Sequence, residues 1–305
     1  MKFTIYQDSR QGGRNNNEDR TSYCYSRDAL LMVIADGMGG HHYGEVAAQI
    51  AVQTLSDNFQ REARPMLGDP FHFLQKGMMN AHHAILDYAA RHRLADSPRT
   101  TCVACIVQDN IAYWAHAGDS RLYMIRDGRV LAQTRDHSRI RLLLEEGMIS
   151  EQEAAVHPDR NKIYSCLGSP HSPEIEFSRK TPLSSGDILL LCTDGLWGVI
   201  PGEQMAITLK NSNLLQAIPM LLGQAEIRGG QYGDNLSVVA VRWEDNYVED
   251  ASSQISTQTM SQDQVTTRLD EFGRNPSYKS DLSDDEIERA IDEIRSTIDK
   301  YNPKK

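Results

Sequence analysis

The sequence is short of cysteine, of basic charge and of long apolar runs. Its 305 residues hold five cysteines, an odd number scattered from Cys24 to Cys192. That is no disulfide framework, and it suits a reducing compartment. Lys and Arg number 32 against 42 Asp and Glu, for a net charge of −10. An acidic chain without a basic stripe is poorly equipped for nucleic acid, whose affinity for proteins rests on phosphate neutralisation. The longest apolar runs, such as Ile188 to Cys192, fall far below the ~18 to 20 residues that span a bilayer. The first twenty residues, MKFTIYQDSRQGGRNNNEDR, also lack the apolar stretch of a secretory signal. A cytoplasmic protein, neither membrane-bound nor nucleic-acid-binding, is therefore expected.

What is present is the 40% hydrophobic and 24% charged composition of an ordinary globular protein. Up to about Glu244 the chain is dense with strand-like and helix-like patterns. Strands are expected at residues 2–6, 21–25, 30–35, 101–108, 111–117, 121–126, 174–178, 187–192 and 236–243. Helices are expected at 43–61, 69–93, 138–146, 150–155, 202–209 and 213–228. Two long early helices, a strand-rich middle and a later helix pair point to an α+β layered sandwich rather than alternating βαβ units. Cys102 and Cys105 form a C-x-x-C, but in a strand-like stretch where residues three apart face opposite ways, so they read as core cysteines.

Beyond residue 244 the character changes. Residues 245–281 are rich in Ser, Thr, Gln and Asp and read as a flexible linker. Residues 282–305 restart a helix: Ser283 and Glu286 make a capping box, and Ile287, Ile291, Ile294, Ile298 and Tyr301 form one apolar seam suited to docking on a partner or on the body. From Asp245 onward the chain carries 14 acidic and 8 basic residues.

The chemistry concentrates in loop carboxylates. LLMVIADG at 30–37 and DILLLCTDG at 187–195 each run from an apolar strand into Asp-Gly, placing Asp36 and Asp194 at strand mouths. Asp-Gly alone marks many tight turns. Asp19 in NNNEDR, Asp119 in AGDSR and Asp234 in YGDN add three more carboxylates in the same local setting. Such a cluster repels itself unless cations are present, and all-oxygen ligation suits Mg²⁺ or Mn²⁺.

In order along the chain, NNNEDR, ADGMGGH, the Thr100-Thr101 pair, AGDSRLY, TRDHS, HPDRN, TDGLWGV and GDNLSVV resemble the motifs of the PPM (PP2C-like) protein phosphatases, bacterial branch. The resemblance covers residues 1–244. It implies a four-layer α-β-β-α sandwich of two antiparallel sheets, with the metal site at one end. It also implies removal of phosphate from Ser and Thr by a dinuclear metal-activated water, in one in-line displacement without a phosphoenzyme. No cysteine here is followed six residues later by arginine, so a covalent cysteine mechanism has no motif.

Carried over, the resemblance makes Asp36 the carboxylate bridging two metals, helped by the Gly37 carbonyl. Asp19, Asp194 and Asp234 complete the shells, Glu18 supports them, and Asp119 helps hold a third, weaker ion. Arg14 would bind phosphate through its planar fork, and His41 would be the general acid, with His42 a bystander. His137 reads equally as a strand–helix junction residue. The region between His137 and Pro173 corresponds to the mobile flap of bacterial relatives. Two features depart from the commoner pattern: Met38 follows Asp-Gly where animal members carry His, and Arg99 precedes the Thr pair where Gly is usual. Phosphorylated proteins and a cognate Ser/Thr kinase are the implied partners. Two rival readings are a catalytically weak adaptor acting through the C-terminal helix and a hydrolase of some other phosphoester.

Overall fold

The computed structural model describes residues 1–38, 43–155, 157–159 and 162–245. His41, the expected linker beyond Asp245 and the expected helix over 282–305 lie outside the described residues.

The chain opens with β1 (Phe3–Arg10), β2 (Arg20–Tyr25), β3 (Ala29–Ala35) and the short β4 (Gly37–Met38), followed by α1 (Gly44–Glu62) and α2 (Pro70–Arg91). Then come β5 (Arg99–Thr100), β6 (Cys102–Gln108), β7 (Ile111–Ala117), β8 (Arg121–Arg126) and β9 (Arg129–Gln133). The short helices α3 (Arg139–Glu145) and α4 (Glu151–Ala155) precede β10 (Glu176–Phe177), β11 (Thr181–Pro182) and β12 (Ile188–Cys192). The body closes with the helical turn α5 (Asp194–Trp197), α6 (Gly202–Asn211), α7 (Leu214–Gly229) and β13 (Leu236–Trp243).

These strands build two main antiparallel sheets, ordered β1-β13-β12-β8-β9 and β10-β7-β6-β3-β2, with β11 also on β7, while β4 and β5 pair separately as a two-stranded ribbon. Strand alternation gives each sheet two apolar faces. Phe3, Leu122, Leu191, Val239 and Trp243 from one sheet meet Met32, Ile34, Val103, Cys105 and Trp114 from the other in the central layer. The outer face of the six-stranded sheet, including Leu31, Val33 and Ile106, packs under α1 and α2 through Ile50, Leu55, Phe59, Leu74 and Met78. Leu190, Val238 and Ala240 on the five-stranded sheet pack under α6 and α7 through Met205, Leu209, Ile218 and Leu222. Three apolar layers thus hold the four-layer sandwich together, the arrangement that the resemblance implied. Cys102 and Cys105 fall in different layers, both buried and reduced, and burial pushes the Cys102 thiol up to about 12.

Local signals explain the helix ends. Asp69 caps α2 by accepting from the Phe71 and His72 amides at 2.9 and 3.1 Å, with Pro70 in the first turn. Ser150 and Glu153 form the expected reciprocal box at α4, with the Ser150 amide donating to Glu153 at 2.8 Å and the Glu153 amide to Ser150 Oγ at 3.3 Å. The structure departs from expectation in a few places. β1 runs on to Arg10 because Gln7 to Arg10 pair with Val239 to Leu236. The strand expected over 174–178 shrinks to Glu176–Phe177, both exposed. Arg129–Gln133, outside the expected strands and helices, is an edge strand.

Candidate active site

Every expected site aspartate sits at the same end of the sandwich. Asp19 precedes β2, Asp36 follows β3, Asp119 lies in the turn between β7 and β8, Asp194 opens α5 after β12, and Asp234 precedes β13. Antiparallel pairing forces this convergence. Arg20 pairs with Ala35, Cys102 with Ala117 and Cys192 with both Arg121 and Val238, so these strand termini share one edge.

A cavity of ≈ 1210 Å³ opens there, lined by Arg14, Glu18, Asp36, Gly37, Asp119, Asp194 and Asp234 among others. Asp19 is 2% exposed beneath it, one oxygen accepting from Thr193 Oγ1 at 2.8 Å and the other, Oδ1, buried with no hydrogen-bond partner. Burial, and then the neighbouring charges of Asp19, Asp194, Asp119 and Asp234, raise the Asp36 pKa far above its ordinary value. Burial is also the largest cause for Asp19, pushed up to about 7, and Asp194, pushed up to about 6. Asp119 is raised by burial and by Asp194, against the lowering pull of Arg121.

The donor set fits a hard dication. Mutually repelling carboxylates, most of them desolvated, with an orphaned oxygen on Asp19, are what Mg²⁺ or Mn²⁺ ligation requires. Arg14 lies on the same wall and donates to Asp234 Oδ2 at 2.6 Å, with its side chain more than half exposed. Gly37 is the one residue type its place allows: a Cβ would lie 2.3 Å from the Gly44 carbonyl oxygen and 2.8 Å from that of Glu18. Met38 and Tyr43, flanking the segment that contains His41, both line the cavity.

Several organising residues escaped sequence reasoning. Asn235 accepts the Glu18 amide at 2.9 Å and donates to the Gln11 and Asn16 carbonyls, each at 2.8 Å, stapling the 11–18 loop to Asp234. Its place in GDN was the available signal. Arg121 holds Asp136 in a fork at 2.8 and 2.7 Å and lies 3.5 Å over the Trp197 ring. One guanidinium thereby joins AGDSR, TRDH and TDGLW. Asp194, expected at a strand mouth, sits two residues beyond β12 and also begins a helical turn: the Gly198 amide donates to its carbonyl at 2.7 Å.

The sequence pattern described as protein phosphatase 2C matches residues 7–216. A curated relative, the serine/threonine phosphatase stp of Listeria innocua serovar 6a, is 32% identical over 231 residues, covering 75% of this chain and 90% of that protein. Among solved structures, the serine/threonine phosphatase PstP/Ppp of Mycobacterium tuberculosis aligns with a TM-score of 0.69 and 31% identity, over 80% of this chain and 100% of that one. The catalytic domain of the serine threonine protein phosphatase PstP in complex with two manganese ions aligns at 0.67 and 30%, over 80% and 99%. The chain belongs to the protein phosphatase 2C family.

Proposed function

We propose that this chain is a metal-dependent protein serine/threonine phosphatase of class EC 3.1.3.16, hydrolysing phosphoserine and phosphothreonine with Mg²⁺ or Mn²⁺. The carrying observation is the gathering of Asp19, Asp36, Asp119, Asp194 and Asp234 around one cavity that also holds Arg14. The family membership and the manganese complex of the PstP catalytic domain support the choice of ion.

Asp36 lies where it feels the charges of all four other aspartates, and it would be the carboxylate shared between two ions. Asp19, Asp194, Asp234 and the Gly37 carbonyl would help hold those ions, Glu18 would support them, and Asp119 would help hold a third, weaker one. Such ions supply charge neutralisation at phosphoryl oxygens and acidify water near neutral pH. Arg14 turns from Asp234 to the substrate phosphate, its two parallel N–H groups fixing the phosphorus for in-line attack. The leaving alkoxide needs a proton, and His41, tethered between the cavity-lining Met38 and Tyr43, delivers it from its ring.

The substrates are phosphorylated proteins in the cytoplasm, the activity opposes a Ser/Thr kinase, and the C-terminal seam, outside the described residues, docks on a partner or on the phosphatase body. No helix among the described residues is long and apolar enough to cross a membrane. The direct test is hydrolysis of a phosphothreonine peptide by purified protein with added Mn²⁺. Activity should vanish in EDTA and fall steeply in Asp36→Asn. Turnover of nucleotides or sugar phosphates in preference to the peptide would assign another phosphoester, and ion uptake without any turnover would favour the adaptor.

A further inference from the structure

A second cluster of ligand-type side chains lies outside the carboxylate site. His116 on β7 stands directly opposite Glu176 on β10 in the strand register. His137, in the loop between β9 and α3, brings its ring to 4.6 Å from that of His116 and its Nε2 to 3.6 Å from Glu176 Oε2. One ligand atom from each residue lies within 4.8 Å of the other two. Both histidines are at most 2% exposed, whereas the Glu176 side chain is 46% exposed and opens the cluster to the surface.

The hydrogen-bond accounting leaves two ring nitrogens unclaimed. His116 Nε2 is 2.6 Å from the Arg135 carbonyl oxygen, which can only accept, so the ring proton sits on Nε2 and Nδ1 keeps its lone pair. That Nδ1 is buried with no hydrogen-bond partner, and so is His137 Nε2. Buried nitrogens without partners are rare and costly. A ring N–H held by a backbone carbonyl is also how metal-binding histidines are commonly fixed in tautomer and orientation.

We propose that His116 Nδ1, His137 Nε2 and the Glu176 carboxylate form a separate site for a transition-metal dication of the zinc class. Two imidazoles and one carboxylate suit Zn²⁺, with a water completing the tetrahedron, whereas Mg²⁺ is served by the all-oxygen cluster. The Gly118 amide donates to His137 Nδ1 at 3.3 Å, so without an ion the His137 proton resides on Nε2. Ion binding shifts that proton to Nδ1 at the expense of this long contact, and no net proton is released. His137 and Glu176 bracket residues 138–175, from which Ile163 and Cys166 reach the wall of the active-site cavity. An ion here ties both ends of that segment to β7.

The test uses the metal-stripped full chain in saturating Mg²⁺, titrated with Zn²⁺ in a calorimeter and, in parallel, with Co²⁺ followed by visible absorption. Wild type should take up one more Zn²⁺ than Glu176→Gln and show the intense visible band of tetrahedral Co²⁺. Loss of a group that merely supports a ligand weakens a site about 10 to 100-fold, so loss of the ligand itself should cost at least as much. His116→Gln should behave like Glu176→Gln. If His116→Gln fails to fold, the half-exposed Glu176→Gln decides alone. Equal Zn²⁺ uptake and equal spectra in wild type and Glu176→Gln would overturn the site. Phosphate hydrolysis enters none of these readouts, so the result stands apart from the phosphatase reading.

Discussion

Thr101 and Asp36 hold one another through the backbone. The Asp36 amide donates to Thr101 Oγ1 at 3.1 Å, and the Thr101 amide donates back to the Asp36 carbonyl at 2.9 Å. Thr101 Oγ1 also shares a hydrogen bond with Ser120 Oγ at 2.7 Å, beside Asp119. One buried hydroxyl therefore sets the spacing of two candidate metal carboxylates. Thr101→Val keeps the shape and removes the oxygen, leaving the Asp36 amide unpaired. We expect a loss of about 1 to 3 kcal/mol in unfolding free energy and a lower kcat with weaker Mn²⁺ activation, read by denaturant melts and peptide assays.

The pH dependence of stability should change sign with metal. Asp19 and Asp194 have pKa values raised to about 7 and about 6 from an ordinary 3.8, chiefly by burial. A raised carboxyl stabilises the fold fully below its unfolded pKa, and that contribution disappears as pH rises through the folded pKa. Metal-free protein should therefore melt at a higher temperature at pH 6.5 than at pH 8. As pH falls through 6.5, burial of His82, lowered to about 4, and of His116 and His137, also lowered, works the other way, so the upper window reads most cleanly. With saturating Mn²⁺ the ionised carboxylates are favoured, and acidification should lower the melting temperature. Differential scanning fluorimetry across this range checks both limbs.

Gly37→Ala tests the packing behind the site. Its new methyl would meet backbone atoms of Gly44 at 2.3 and 2.4 Å and the Glu18 oxygen at 2.8 Å, none of which can swing aside. The start of α1 must shift, and Asp36 with it. We expect a fall in Mn²⁺ affinity measured by calorimetry, larger than the change in melting temperature.

Arg121→Lys keeps the charge but loses the planar fork on Asp136 and the stack on Trp197. Because three motif segments meet on this side chain, the substitution should lower the melting temperature and raise the Mn²⁺ concentration needed for activity. Unchanged values of both would show that Arg121 is not the joint described here.

Much of this architecture was legible in the residues. Runs such as Leu30 to Ala35 and Ile188 to Cys192 are buried along their whole length and lead into Asp36 and Asp194. What stayed hidden has physical reasons. β9 carries RVLAQ in alternating exposed and half-buried positions, so no apolar run marks it. The helical turn α5 that starts at Asp194 was not marked, because Asp-Gly serves both turns and helix starts and four residues show no helical period. Asn235 and Thr101 act through partners 219 and 65 residues away, a relation that a linear reading cannot contain. The two orphaned nitrogens of His116 and His137 emerge only when β7 is laid beside β10 and the loop after β9.

The central claim is that the five aspartates exist to hold divalent ions, and Mn²⁺ titration calorimetry of the metal-stripped chain tests it most directly. Wild type should bind at least two ions, with Asp36→Asn losing most of the heat while remaining folded. No uptake at millimolar Mn²⁺, or uptake unaffected by Asp36→Asn, would contradict the account.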